Sequence, residues 1–197
     1  KACGRTGCSK GSIKADGCCM KKGNISIFVP HQGCPCQCSF CNQKTITGQT
    51  KAPAAEDVVN AVETALKKKK FEYEIAFFGG SFTAIERDYM ISLLGAAAPY
   101  VKNGGVKGIR ISTRPDCIDR EVLDILKEYG VTSIELGAQS MDDEVLLANR
   151  RGHTAEDVVN ASKLIKDYGF ELGLQMMTGL YMDTCEKAVQ TAQKIID

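Results

Sequence analysis

Residues Asn24–Gly48 read NISIFVPHQGCPCQCSFCNQKTITG. The run Ile25–Val29 is aliphatic, aromatic and β-branched, and Pro30 closes it, which is the pattern of a buried strand. A loop carrying Cys34, Cys36, Cys38 and Cys41 follows, then a helix over Ala54–Lys70 with Val58, Val59, Val62, Ala65 and Leu66 on one face. Glu74–Phe78 is again strand-like. A strand, a helical crossover and a second strand make a βαβ unit, and such crossovers join parallel strands. The alternation continues outward from this unit. Further strands are expected at Gly108–Ser112, Ser133–Gly137 and Leu172–Met177. Helices are expected at Arg87–Tyr100, Arg120–Tyr129, Asp142–Arg150, Ala155–Tyr168 and Thr184–Ile196. Five βα units in this order predict an α/β fold with parallel strands. An eight-fold barrel needs about 250 residues, so 197 residues suit an incomplete barrel or an open sheet. In either case functional groups belong beyond the C-terminal ends of the strands.

Composition bounds the function. With 25 Lys+Arg against 24 Asp+Glu the net charge is +1, so the chain does not hold nucleic acid through its overall field. No apolar run approaches the ~20 residues of a membrane helix, and Ile91–Val101 is interrupted by Gly95 and Pro99. The first 23 residues lack the apolar core of a signal peptide. Ten cysteines in a chain of this length suit a reducing compartment, and a cytoplasmic location is expected. Residues 1–23 carry Cys3, Cys8, Cys18 and Cys19 among Gly, Ser and Lys, with Ile13 as the one large aliphatic residue. They read as a disordered or extraneous leader. Residues 24–197 read as one incomplete domain, because Glu186–Asp197 ends as a helix without a cap. The heptapeptide AEDVVNA occurs at Ala55–Ala61 and again at Ala155–Ala161. Its flanks differ, so it marks two similar amphipathic helices and not a duplicated domain.

Four thiols within eight residues can wrap a metal centre, since soft thiolates select zinc, copper(I) or iron–sulfur clusters. Taken as C-x3-C-x2-C, the set is Cys34, Cys38 and Cys41, with the aromatic Phe40 before the last. Three ligands would leave one iron of a cubane open. This loop resembles the cluster motif of the radical S-adenosylmethionine (SAM) enzymes, and five further stretches follow in that family's order. They are Phe77–Thr83 (FFGGSFT), Arg110–Asp116 (RISTRPD), Glu135–Ser140 (ELGAQS), Arg151–Thr154 (RGHT) and Gly173–Leu180 (GLQMMTGL). The branch it resembles contains oxygen-independent coproporphyrinogen oxidases and the catalytic subunit of Elongator.

The resemblance implies a partial (β/α) barrel whose C-terminal part is missing, and an enzyme. By it, Cys34, Cys38 and Cys41 ligate a [4Fe–4S] cluster whose open iron takes the SAM amino and carboxylate groups. Phe40 lies against the adenosine, while Gly79, Gly80 and Ser81 bind the amino group. Ser112, Gln139 and Gln175 meet the ribose or methionine moiety. Arg151 pairs with the SAM carboxylate, and Arg114 is a further SAM contact. A flavodoxin- or ferredoxin-type electron donor is the implied partner, and the substrate is a porphyrinogen-like tetrapyrrole or a tRNA. Ser81 stands where the family often has an acidic residue, and Tyr181 where it often has Pro.

Simpler readings stand beside these. All four loop thiols could close a structural zinc site in a non-catalytic interaction module. Cys36 reads as a spare, solvent-facing thiol, and Cys117 and Cys185 as single packing or surface residues. His31 and His153 read as local hydrogen-bonding residues, and Met176-Met177 as core. Arg114 and Asp116 could pair across Pro115. Asp142, Asp143 and Glu144 fit the first turn of a helix, so no acid/base set is assigned.

Overall fold

The computed structural model describes residues 21–30, 34, 36–41, 51–68 and 71–197. Strands and helices alternate as β1 (Lys22–Val29), α1 (Ala55–Lys67), β2 (Glu72–Gly79), α2 (Arg87–Lys102), β3 (Ile109–Thr113), α3 (Arg120–Glu128), β4 (Val131–Gln139), α4 (Asp143–Ala148), α5 (Ala155–Asp167), β5 (Glu171–Met176) and α6 (Cys185–Ile196). Short 3-10 turns, Phe82–Ala84 and Pro115–Cys117, follow β2 and β3. All five strands are parallel and pair in chain order, β1-β2-β3-β4-β5. That order decides the architecture. Right-handed crossovers between successive neighbours set each helix on the same side of the sheet, leaving the opposite face as the inner wall of a partial barrel.

The strand sequences obey this division at period two. Ile25, Ile27 and Val29 of β1, Ile75 and Phe77 of β2, Ile109 and Ile111 of β3, and Ile134 and Leu136 of β4 all point to the helices and form the core with Val58, Leu93, Leu123 and Ile165. Each such side chain contributes roughly 1.5–3 kcal/mol by leaving water. The alternate positions are Ser26, Ala76, Arg110, Ser112, Glu135 and Gln175, and they line a cavity on the other face.

The two AEDVVNA segments open α1 and α5 in the same way. The Asp57 carboxylate accepts the Ala54 N–H at 2.8 Å, and Asp157 accepts that of Thr154 at 2.7 Å. Acidic side chains in a first turn also suit the helix dipole. Asp142 is the N-cap of α4, as its position implied, and accepts the Val145 N–H at 3.0 Å.

Some expectations shift. β1 starts at Lys22, so Lys22 and Gly23 pair with Glu72 and Tyr73 in the sheet. Met176 and Met177 are not core: Met176 is half-buried and Met177 is 38% exposed. β5 has a single neighbour in the sheet order, so little covers its flank. The leader thiols Cys3, Cys8, Cys18 and Cys19, and His31, lie outside the described residues. Among the described residues no helix is long and apolar enough to cross a membrane.

Candidate active site

The inner wall and the C-terminal strand ends enclose a cavity of about 860 Å³. Every residue singled out for the site lines it. The cysteine loop contributes Cys34, Cys38, Phe40 and Cys41, and Cys36 joins them. The end of β2 contributes Gly79, Gly80 and Ser81, and the end of β3 contributes Ser112 and Arg114. Gln139, Arg151 and Gln175 complete the wall. Residues as far apart as Cys34 and Gln175 meet there because parallel strands put all their C-terminal ends on one side.

The cysteine loop is a tight turn, with the Cys41 N–H donating to the Cys38 carbonyl at 3.1 Å. Among the described residues no three His, Cys, Asp or Glu side chains converge on a point that would suit one metal ion. The four thiols of the loop line the one cavity together. Cys36 is half-buried, not solvent-facing: it packs against Gly152, where a Cβ would come within 2.3 Å of its sulfur.

Two guanidinium groups are buried at the cavity. Arg151 is 7% exposed; its Nη2 donates to the Gly137 carbonyl at 2.6 Å and its Nη1 lies 3.4 Å from the Cys38 sulfur. Arg114 is 3% exposed and forms a two-pronged pair with Asp116, both contacts 2.9 Å, while Nη2 also donates to the Arg151 carbonyl. Burial works against the charge of Arg114, but Asp116 outweighs it and the pKa is raised. Nε of Arg151, Nη1 of Arg114 and Oε1 of Gln139 are buried without a hydrogen-bond partner among the described residues. Orphaned buried polar atoms are costly, and several at one cavity are what a polar, anionic ligand would satisfy.

Local backbone features serve this arrangement. A bulge in β4 breaks its register with β5 between Gly137 and Gln139, and Gln139 has φ 65°. Such a bulge re-aims a side chain at the end of a strand. Gly137 must be small, since a Cβ would lie 2.9 Å from the Gln139 amide and 3.3 Å from Arg151 Nη2. Gly79 has φ +124°, and a Cβ there would meet Phe28 and the Val29 carbonyl at 2.6 Å. Its smallness lets β2 pack closely on β1. Ser81 is 1% exposed and its hydroxyl is bonded to Thr113 at 2.9 Å. Thr113 also bonds Thr83 at 2.6 Å, tying the ends of β2 and β3 together. Burial raises the pKa of the neighbouring Cys117 thiol and Asp116 adds to this, against the Ser81 hydroxyl and Arg114.

Glu74 lies outside the motif stretches, and Arg110 and Glu135, which open two of them, carry no assigned role there. Arg110 donates to Glu74 at 2.9 and 2.5 Å and to Glu135 at 2.9 Å, and Ser133 bonds Glu74 at 3.1 Å. The other Glu135 oxygen accepts from Ser112 at 3.2 Å and Gln175 at 2.8 Å. A polar chain thus crosses β2 to β5 along the inner face. Their positions in the strand alternation, charged where an outward apolar residue is not needed, carried the signal. His153 is 4% exposed; Nε2 lies 3.2 Å from the Ala138 carbonyl, and burial first, then Arg151, lowers its pKa to about 4.

A sequence model of the Radical SAM superfamily matches residues 28–195, and the chain belongs to that superfamily. An uncharacterized protein of Methanocaldococcus jannaschii is 30% identical over 181 residues, which are 90% of this chain and 53% of that protein. A tRNA uridine(34) acetyltransferase of Dehalococcoides mccartyi is 23% identical over 206 residues, covering 88% of this chain and 45% of the relative. Among solved structures, the archaeal Elp3 of Methanocaldococcus infernus superposes with a TM-score of 0.64 at 22% identity, over 89% of this chain and 43% of the other. The chain spans about half the length of these relatives.

Proposed function

We propose that this chain is the SAM-cleaving part of a radical SAM enzyme, with Cys34, Cys38 and Cys41 as cluster ligands and SAM in the cavity they border. The observation that carries this is that three soft thiols, two buried guanidiniums with unpaired N–H groups and an open inner wall line one cavity. The residues suit the cofactors. Thiolates match iron, and Arg114 and Arg151 offer buried cations to a carboxylate. Held by Cys34, Cys38 and Cys41, a [4Fe–4S] cluster would supply one-electron chemistry, fed by an external donor, for reductive cleavage of SAM and abstraction of a substrate hydrogen.

The chain's own residues bind and orient. Arg151 spans the Gly137 carbonyl and Cys38, and its Nε–H has no partner among the described residues, so it serves as carboxylate anchor. Gln139, turned by the β4 bulge, offers its unpaired oxygen to the amino group, helped by the backbone at Gly79–Ser81. The Ser81 hydroxyl, bonded to Thr113 at the cavity wall, fixes the backbone of that stretch. Ser112, Gln175 and the Glu135 carboxylate they bond form a hydroxyl-binding row for the ribose, and Phe40 flanks the adenine. A flavodoxin- or ferredoxin-type protein is the electron donor. Of the two substrate classes, tRNA and tetrapyrrole, the likeness to a tRNA uridine(34) acetyltransferase favours tRNA.

The test is anaerobic reconstitution with iron and sulfide, followed by EPR of the reduced protein with and without SAM. A [4Fe–4S] signal that SAM perturbs is expected, together with loss of iron in Cys38→Ala. A colourless protein holding one zinc ion would replace this reading by the structural zinc module.

A further inference from the structure

Asn149 lies outside the motif residues, yet it is 1% exposed with both ends of its side-chain amide bonded. Its Nδ2 donates to the Val145 carbonyl at 2.7 Å and the Tyr181 carbonyl at 2.8 Å. Its Oδ1 accepts the Ser39 hydroxyl at 2.9 Å and the Tyr181 N–H at 3.3 Å. Its own carbonyl accepts the Ser39 N–H at 3.1 Å. Asn149 caps the C-terminus of α4, a role that would need local bonds only. Here the side chain reaches partners 110 and 32 residues away. Ser39 sits inside the Cys38–Cys41 turn, and Tyr181 sits in the segment after β5. The Tyr181 ring is 71% exposed, so the backbone of that residue, not its side chain, is what is held. Proline at 181 would lack the N–H that Asn149 receives.

We propose that Asn149 is a positioning residue that clamps the Cys38–Cys41 turn to the segment after β5, so that the order of the cysteine loop depends on chain 140 residues downstream of it. The clamp belongs to the protein without metal; its consequence for iron retention rests on the cluster reading above. Both ends of a buried amide are satisfied at once, and truncation strands several partners together: the Ser39 hydroxyl, the Tyr181 N–H and the Tyr181 carbonyl, while the Val145 carbonyl keeps the Asn149 backbone N–H.

Hydrogen exchange on the full chain before reconstitution reads the clamp directly, with α2 as an internal reference. In Asn149→Ala the amides of 36–41 and of 178–183 should both exchange about tenfold faster, the loss of roughly one net hydrogen bond at each, with α2 unchanged. Ser39→Ala should loosen 36–41 alone. Asn149→Asp keeps the acceptor oxygen for Ser39 but loses the donor, and should release 178–183 first. That variant decides the matter if Asn149→Ala does not fold. Unchanged exchange in either segment of Asn149→Ala, or in 178–183 of Asn149→Asp, would overturn the clamp. After reconstitution, Asn149→Ala should lose iron to a chelator several-fold faster at an unchanged content of helix. If the wild-type chain takes up no cluster, the functional reading falls while exchange still decides the clamp.

Discussion

Gly152 shows how much one position of the site demands of its residue. It has φ +78°, and a Cβ would lie 2.3 Å from the Cys36 sulfur and 3.2 Å from Arg114 Nη2. Gly152→Ala should therefore cost roughly 1–3 kcal/mol through the left-handed backbone alone, with the clash added. Thermal unfolding of Gly152→Ala and of Gly152→Ala with Cys36→Ala separates the two, because the second change removes only the clash. An unchanged melting temperature in the single variant would contradict this geometry. Next to Gly152, His153 is held neutral. Its folded pKa is depressed to about 4 from 6.5, so the unfolded chain takes up the proton first. Its contribution to stability is complete above pH 6.5 and declines as pH falls from 6.5 towards 4. Urea unfolding at pH 7 and pH 5 should show a larger loss for the wild type than for His153→Gln; parallel losses would remove His153 from the account. At this scale the motif residues were legible because their types are chemically committed. Asn149 and Glu74 were not, since their roles are hydrogen bonds to residues that only folding brings near.

Along an element, alternate residues face different worlds. In β3 the Ile111 side chain is fully buried against the helices, while its neighbour Ser112 faces the cavity and bonds Glu135. Ile111→Ala should cost about 2–5 kcal/mol in denaturant unfolding. Ser112→Ala should cost roughly 0.5–1.5 kcal/mol and instead weaken SAM binding to the reconstituted protein, read by calorimetry. Equal losses of stability for the two would contradict the division of faces. The elements were well announced by periodicity: α5 was expected over Ala155–Tyr168 and runs over Ala155–Asp167. The β4 bulge was not announced, because a register shift is a relation between two strands.

At the scale of the whole sheet, one cavity is lined from Asn24 on β1 to Gln175 on β5. A ligand filling it bridges the sheet and the cysteine loop, so binding should stabilise the fold as a unit. With SAM at a hundredfold excess over its dissociation constant, the reconstituted chain should melt ~5–10 °C higher. On the proposed cluster ligation, the metal-free chain should gain far less, because the open iron would then contribute to the affinity. Equal gains in both states would place SAM elsewhere.

The sequence by itself determined the class of fold, the ordered motifs and the identity of the thiols and guanidiniums, since periodicity and residue chemistry are written locally. The tertiary structure alone decided that the Ser81 hydroxyl bonds Thr113, that Gly79 lets β2 pack on β1, that Arg110 strings Glu74 to Glu135, and that Asn149 ties Ser39 to Tyr181. Each of these depends on a distance between residues remote in the chain, and such distances exist only once the parallel strands have set their ends side by side.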